Sequence, residues 1–342
     1  MHLENNIKQK IKVLLTGASG TVGYEVAQQL LALPDVELSI FDLESKRSKK
    51  LLNPFAKKAT IIYGNISDEN IVERTVKDKD IVIHLAAIIP PLADEHPQLA
   101  YTVNVKGTQN IIKAMETFAP EALLLYSSSI SVYGDRVLRP NIKVGDLLQA
   151  SVGDEYALTK IECEQMIRAS KLDWTIFRLA AIMGNHKISK LMFHMPLETT
   201  IEICTPKDTA RAFVKAIFHK EALNHKIFNL GGGKECTTTY KEFLNRSFQI
   251  YGLGNIDFAQ NSFAKKNFHC GYYSDGDDLE NILKFRRDSL EDYFSQTKAQ
   301  VRPWTKKLAS CFKSIIKKNL ERQSEPLKAL KNNDKALIER FF

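Results

Sequence analysis

Residues 11–23 read Ile-Lys-Val-Leu-Leu-Thr-Gly-Ala-Ser-Gly-Thr-Val-Gly, and this stretch decides the fold. An apolar run suited to a buried strand stops at Thr16. Gly17, Gly20 and Gly23 then form a G-x-x-G-x-x-G turn that opens a helical pattern over Val22–Leu33. One glycine permits the tight turn, one lets backbone approach a pyrophosphate, and one allows close packing of helix on strand, while the helix N-terminus faces the anion. The next apolar run, Val36–Phe41, ends at Asp42, 19 residues past Gly23. A carboxylate there accepts both hydroxyls of an adenosine ribose and repels a 2′-phosphate, which favours NAD. Lys46 and Arg47 follow closely and keep NADP open. Gly17, Ser19, Gly20, Thr21, Val22, Gly23 and Asp42 are therefore cofactor-binding candidates.

Working outward, short apolar runs at Thr60–Tyr63, Ile81–Leu85, Ala122–Ser127 and Trp174–Leu179 alternate with helical spacing at Asp68–Val76, Pro97–Phe118 and Tyr156–Ser170. Strands this apolar, joined by helices, fit a parallel sheet covered on both faces, an α/β doubly wound architecture. The third strand closes at Gly64-Asn65-Ile66 and the fourth at His84-Leu85-Ala86-Ala87. Asn65 and Ile66, with Leu85, Ala86 and Ala87, extend the cofactor-binding set along the strand ends. Pro206–His219 and Lys226–Leu230 read as a helix and a strand returning to the same sheet. The domains expected are a nucleotide-binding domain over 1–184 with 206–230, a smaller α/β substrate lobe from 185–205 and 231–297, and a basic helical tail over 298–342.

With 44% hydrophobic and 26% charged residues, the chain has an ordinary globular composition. No apolar run is long enough to span a bilayer, and the first residues lack the apolar core of an export signal. Cys163, Cys204, Cys236, Cys270 and Cys311 are scattered singly, so no metal site and a reducing, cytoplasmic setting are expected. The net charge of +8 is not spread evenly: residues 298–342 hold 12 of the 48 basic and 4 of the 40 acidic side chains, leaving 36 of each in 1–297. A neutral body with a basic tail argues against nucleic acid as a partner.

Tyr156 and Lys160 stand four apart in Tyr-Ala-Leu-Thr-Lys, on one face of a helix. A nearby cation lowers the pKa of a phenol and fits it to move a proton to or from a substrate hydroxyl. The fifth strand ends in Tyr126-Ser127-Ser128-Ser129-Ile130-Ser131-Val132-Tyr133-Gly134, where Ser129 supplies a hydroxyl for a reacting carbonyl oxygen.

These pieces, with Asn104–Asn110 (NVKGTQN) and Phe228–Gly233 (FNLGGG), occur in one order over residues 11 to about 297. Together they resemble the extended short-chain dehydrogenase/reductases of the NAD-dependent epimerase/dehydratase family. The resemblance implies a Rossmann-type fold and a small-molecule substrate. Tyr156 is then the catalytic acid/base, Lys160 the residue that binds the nicotinamide ribose and tunes Tyr156, and Ser129 the hydrogen-bond partner of the substrate oxygen. Asn104 steadies the central helix, and the backbone near Leu179 and Ile182 lies against the nicotinamide. The family usually has proline after the arginine of that strand, whereas Leu179 follows Arg178 here. A homodimer is common in the family, and the Pro97–Phe118 and Tyr156–Ser170 stretches suit its interface.

Family members that dehydrate sugars resemble one another in an Asp-Glu pair after the serine position, which is Ile130-Ser131 here, so that chemistry is not expected. Residues 263–273 carry lysines and aromatics but no arginine to grip a diphosphate as a bidentate fork. The YSSSISV run resembles the 3β-hydroxysteroid dehydrogenase branch. The leading expectation is an NAD(P)-dependent dehydrogenase or reductase of an apolar hydroxyl or carbonyl compound. A nucleotide-sugar epimerase and a non-catalytic NAD-binding protein are the alternatives. His186 and His194 are further acid/base candidates at the entrance to the substrate lobe.

On a helical wheel, residues 304–320 sort Trp304, Leu308, Cys311, Phe312, Ile315 and Ile316 to one side and Lys306, Lys307, Lys313, Lys317 and Lys318 to the other. Two readings stand for this tail: its apolar side packs on the protein itself or a dimer partner, or it lies on an anionic membrane surface.

Overall fold

The computed structural model describes residues 9–184 and 188–342, so His186 lies outside the described residues. Among the described residues twelve strands are formed: β1 (Ile11–Thr16), β2 (Val36–Asp42), β3 (Thr60–Tyr63), β4 (Ile81–His84), β5 (Leu123–Ser129), β6 (Asn141–Ile142), β7 (Asp173–Leu179), β8 (Ala181–Ile182), β9 (Thr200–Cys204), β10 (Lys226–Leu230), β11 (Thr237–Thr239) and β12 (Tyr272–Tyr273). Seven make the central sheet, in the order β10-β7-β5-β4-β1-β2-β3. The β1–β2, β1–β4, β2–β3 and β4–β5 pairs are parallel. The chain forms two compact units, residues 1–128, 159–177 and 209–228 in the first, and 129–158, 178–208 and 229–342 in the second.

In the first unit the strands are apolar almost throughout because both faces are covered; Val13, Leu14 and Leu15 are wholly buried. Register then fixes where the chain turns. Thr16 lies opposite Phe41 and His84, and His84 opposite Tyr126, so the carboxyl ends of β1, β2 and β4 come about level while β5 runs on to Ser129. Ligands of open α/β sheets bind along that edge. The Thr21–Leu30 helix starts there with Gly20 at its N-cap and no side chain capping it, which leaves its first N–H groups open to an anion.

The stretch 97–118 is not one regular helix. A π-helical segment, Tyr101–Lys106, separates Pro97–Ala100 from Gly107–Phe118. Asn104 sits in this widened turn. Its amide accepts from the Ile88 N–H at 2.7 Å and donates to the Ile88 carbonyl and the Thr159 hydroxyl, both at 3.0 Å. It thus pins the loop after β4 as well as its own helix.

The second unit holds the small sheets β11-β9-β8 and β12-β6 and a core rich in Phe and Tyr. The tail belongs to this unit, as the helices Pro303–Cys311, Lys313–Glu321, Glu325–Asn332 and Lys335–Phe341. The single helix expected over 304–320 is broken at Phe312, whose φ of −103° and ψ of 14° leave the helical region. Ile316 is also not with the outward apolar side chains: it packs on the core of the unit together with Ala309 and Leu320. Further on, Ser324 Oγ donates to the Ser262 carbonyl at 2.7 Å, Asn267 Nδ2 to the Arg340 carbonyl at 2.7 Å, and the Lys265 N–H to the Phe341 carbonyl at 2.7 Å. Among the described residues no helix is long and apolar enough to cross a membrane.

Glu325 anchors the tail by charge, 2.9 Å from Lys190 Nζ and 3.0 Å from His194 Nε2. The His194 hydrogen bond first, and Lys190 after it, hold its carboxyl down at about 2 against an ordinary 4.5, in spite of partial burial. A depressed carboxylate pKa stabilises the fold above about pH 4.5, and the contribution is lost as pH falls towards 2. Glu325→Gln is therefore expected to cost on the order of 2 kcal/mol near neutrality. In urea titrations at several pH values, the gap between variant and wild type should narrow steadily from about pH 5 downwards; a gap independent of pH would refute this account of the anchor.

Candidate active site

In the first unit, the glycine loop is held by contact as well as by conformation. Gly17 has φ +76°, and a Cβ there would meet the Ala86 nitrogen at 2.7 Å; one at Gly23 would lie 2.2 Å from the Gly17 carbonyl oxygen. The loop, the helix and the chain leaving β4 are thus in mutual backbone contact, which only glycine permits. Thr16 completes the arrangement. Its hydroxyl is 2.8 Å from His84 Nδ1 and accepts from the N–H groups of Leu85 and Ala86 at 3.2 Å each.

Asp42 is buried at the tip of β2, and its carboxylate accepts from the Ser19 N–H at 2.7 Å and the Ser19 hydroxyl at 2.9 Å. The acid and the loop predicted to share a ligand are therefore already joined. Asn65 is turned to its own backbone, accepting from the Ser67 N–H at 3.0 Å, and Ile66 is buried, its carbonyl taking a hydrogen bond from Asn110. Leu85, Ala86 and Ala87 are half-buried at the end of β4. Among the described residues no group of three or more His, Cys, Asp or Glu is placed to hold a metal ion.

His84 closes β4. It is fully enclosed, with Nε2 3.0 Å from the Thr108 hydroxyl, and burial together with the nearby Lys160 charge lowers its pKa to about 3. It stays neutral and ties β4 to β1 and to the Gly107–Phe118 helix.

Tyr156 and Lys160 lie on consecutive turns of the Glu155–Ala169 helix. Their Cβ atoms are about 5–6 Å apart by helix geometry. Lys160 is buried. Its ammonium donates to the Ser127 carbonyl at 2.7 Å and the Tyr126 hydroxyl at 3.1 Å, and lies 4.6 Å from the centre of the Tyr126 ring. Burial lowers its pKa to about 8, while Cys163 and Glu164 push the other way. Glu164 is itself buried, and Ser128 Oγ donates to its carboxylate at 2.5 Å. Sequence reasoning missed Tyr126 and Glu164. The Lys160/Glu164 spacing of four on one helix was the available signal for the acid.

In the second unit, Ser129 and Tyr156 are both half-buried, and Ser129 Oγ accepts from the Ser131 N–H at 3.2 Å. The turn after Ser129 is braced by Arg178, which donates to the Tyr133 hydroxyl at 2.7 Å and the Val144 carbonyl at 3.0 Å. Tyr133 in turn donates to Asn229 at 2.7 Å, and Asn229 to Asp275 at 2.8 Å. Leu179, at the position where the resemblance led one to expect proline, ends β7, and the chain continues through Ala180, whose N–H donates to the Leu230 carbonyl at 2.9 Å. Ile182 lies in β8, paired with Cys204. Asp154 caps the Glu155–Ala169 helix through the Ala157 N–H at 2.9 Å, with His269 3.2 Å from its other oxygen, a pair the sequence did not suggest. His194, a further acid/base candidate, lies 3.0 Å from Glu325 through Nε2, and its ring is tilted against that of Phe341, 4.9 Å between centres.

The model of the 3-beta hydroxysteroid dehydrogenase/isomerase family matches residues 14–176. D-erythronate dehydrogenase of Haemophilus influenzae is 26% identical over 50% of this chain and 55% of its own length. Rat 3 beta-hydroxysteroid dehydrogenase type 7 is 32% identical over 38% of this chain and 37% of its own. The chain thus spans about half or less of the length of these relatives. A putative UDP-glucose 4-epimerase of Methanocaldococcus jannaschii is 26% identical over 65% of this chain and 77% of its own. Among solved structures, UDP-glucuronic acid 4-epimerase of Bacillus cereus, in complex with UDP-glucuronic acid and NAD, superposes with a TM-score of 0.72 at 18% identity, covering 87% of this chain and all of that one. The dTDP-glucose 4,6-dehydratase DesIV of Streptomyces venezuelae gives 0.70 at 20% identity, covering 84% of this chain and 96% of that one. The family model thus places residues 14–176 with the 3-beta hydroxysteroid dehydrogenase/isomerase family, and the solved structures share the fold of the chain, in keeping with its resemblance to the extended short-chain dehydrogenase/reductases.

Proposed function

We propose that the chain is an NAD-dependent oxidoreductase that interconverts a secondary hydroxyl and a ketone on an apolar substrate. The observation that carries this reading is the buried Lys160 ammonium one helical turn from Tyr156. The residues present fit the cofactor: the Gly17–Gly23 cradle has no room for a Cβ at Gly17 or Gly23, and Asp42 stands beside it. Gly17, Ser19, Gly20, Thr21, Val22, Gly23 and Asp42 would hold the adenosine diphosphate, with Asn65, Ile66, Leu85, Ala86 and Ala87 beyond them and Lys160, Leu179 and Ile182 at the nicotinamide end. NAD supplies the hydride acceptor. Tyr156 Oη removes the proton of the substrate hydroxyl, Ser129 Oγ donates a hydrogen bond to the same oxygen, and the Lys160 charge favours the phenolate.

The apolar substrate class is supported by the family match and by the state of the arginines in the second unit. Arg136 is paired with Asp146 at 2.7 Å, Arg178 with Tyr133, Arg246 with Glu291, and Arg286 with Asp277 and the Gly231 carbonyl. These four of the nine arginines in the second unit are committed to internal acceptors. A sugar-nucleotide epimerase is the second reading, favoured by the length of the match to the archaeal relative. The two separate on nicotinamide absorbance: a dehydrogenase converts NAD to NADH stoichiometrically with an apolar secondary alcohol, whereas an epimerase turns over a UDP-sugar with no net change in that absorbance.

Tyr156→Phe is expected to lower kcat by at least about 100-fold with little change in NAD affinity, measured by steady-state kinetics and cofactor titration. Unchanged turnover would remove Tyr156 from the mechanism. A second outcome concerns Glu164, a positioning residue that acts through Lys160. Burial already brings the ammonium to about 8, and the Glu164 charge opposes that fall. Glu164→Gln should lower the Lys160 pKa further, so the pH above which the working charge is lost moves down, and Glu164→Asp should restore part of it. A pH–rate profile that does not move in Glu164→Gln would contradict the role.

A further inference from the structure

The tail presents two apolar stripes, and only one of them is used by the fold. Ala309, Ile316 and Leu320 face the core of the second unit. Trp304, Leu308, Phe312 and Ile315 remain 59%, 50%, 53% and 60% exposed, and Cys311 between them is exposed as well. Within the Pro303–Cys311 helix, Trp304, Leu308 and Cys311 fall within an arc of roughly 60°, and Phe312 and Ile315 continue the exposed apolar surface past the break at Phe312. Four large apolar side chains in one row on a surface mark an interaction site.

Charge indicates what the row meets. Lys307 and Lys318 border its open side, and Arg302 and Arg322 stand at its ends, all exposed. The one acid of the two helices, Glu321, points elsewhere, accepting from the Ala259 N–H and the Ser262 hydroxyl, while Lys317 is bound to the Asn255 carbonyl and Asp257. The exposed row is therefore apolar, rimmed by cations and free of carboxylates along its length. A protein partner would have to offer an acidic rim around an apolar groove. An anionic bilayer offers both at once, headgroup charge for the lysines and arginines and the acyl boundary for Trp304 and Phe312.

We propose that this ridge, Trp304 to Ile315 with its basic rim, docks the protein on the surface of an anionic phospholipid membrane. The inward stripe keeps the helices fixed to the second unit, so docking needs no unfolding of the tail. The helices lie on the bilayer without entering its core, in keeping with their length of nine residues each.

The full chain carries its own probe. Of its two tryptophans Trp174 is buried, so a change in emission on adding vesicles reports Trp304. The test is co-sedimentation of the full chain with vesicles of phosphatidylcholine and phosphatidylserine in a ratio of about 7:3, and with phosphatidylcholine alone, read together with tryptophan emission. Expected are binding to the anionic vesicles, a blue shift of the emission, and loss of both at high salt. Leu308→Ser with Phe312→Ser should reduce partition by more than about tenfold. Lys307→Gln with Lys318→Gln should reduce it about fivefold per charge. Circular dichroism of both variants should match wild type, since the substituted side chains are exposed. Absence of binding to anionic vesicles overturns the proposal. So does binding that both variants retain in full, and so does a ridge that acts only in self-association, seen as a monomer–dimer shift in the ultracentrifuge without vesicle binding.

Discussion

Lys160 is a buried ammonium ion, and the arrangement around it follows from the need to keep that ion satisfied. Taking an ammonium out of water costs several kcal/mol even after relaxation. The Ser127 carbonyl, the Tyr126 hydroxyl and ring, and the Glu164 carboxylate one turn along the helix offset that cost. Each partner fixes an element. Tyr126 and Ser127 hold the end of β5, and Glu164, through Ser128, holds the same strand end to the helix that carries Lys160. A charge that stabilises a phenolate is useful only if its position is fixed beforehand, and this network fixes it.

The nucleotide edge of the first unit is organised by backbone contact, with charge entering only at Asp42. Level strand ends bring Gly17, Ala86 and Asp42 to one border of the sheet, and Thr16, hydrogen-bonded to the backbone after β4 and to His84, holds two of those borders together. His84 serves this because it is neutral. A protonated imidazole would be a second buried cation near Lys160. His84 is thus a structural bridge.

What was legible in the sequence is what depends on near neighbours in the chain. The glycine spacing from Gly17 to Gly23, the acid at Asp42, and the Tyr156/Lys160 interval all lie within a single turn, strand end or helix. The partners of Lys160 were not legible, because Tyr126 and Ser127 lie 34 and 33 residues away and meet it only through the sheet. The π-helical turn at Tyr101–Lys106 escaped for a similar reason: Asn104, within it, is bound to Ile88 and Thr159, distant positions with no local signal. For the tail, the wheel found an apolar side correctly but could not divide it. Ile316 and Ile315 are neighbours in sequence, yet one joins the core and the other the surface, and only the path of the chain separates them.

The two positive features of the molecule answer to different physics. Charges on the tail stand in water, where attraction between exposed groups is screened within about 8–10 Å at ordinary ionic strength. The Lys160 charge is enclosed, beyond the reach of added salt, and its strength is set by burial and by Glu164. A basic composition says nothing by itself about chemistry when the excess lies on the surface of one segment. Here the excess belongs to residues 298–342, whose hydrogen bonds and inward stripe are made with their own unit, whereas Lys160 is a single buried cation in a body of balanced charge. Ionic strength therefore acts on the exposed charges of the tail, pH acts on the charge of the buried ammonium, and the two dependences are separable in one preparation.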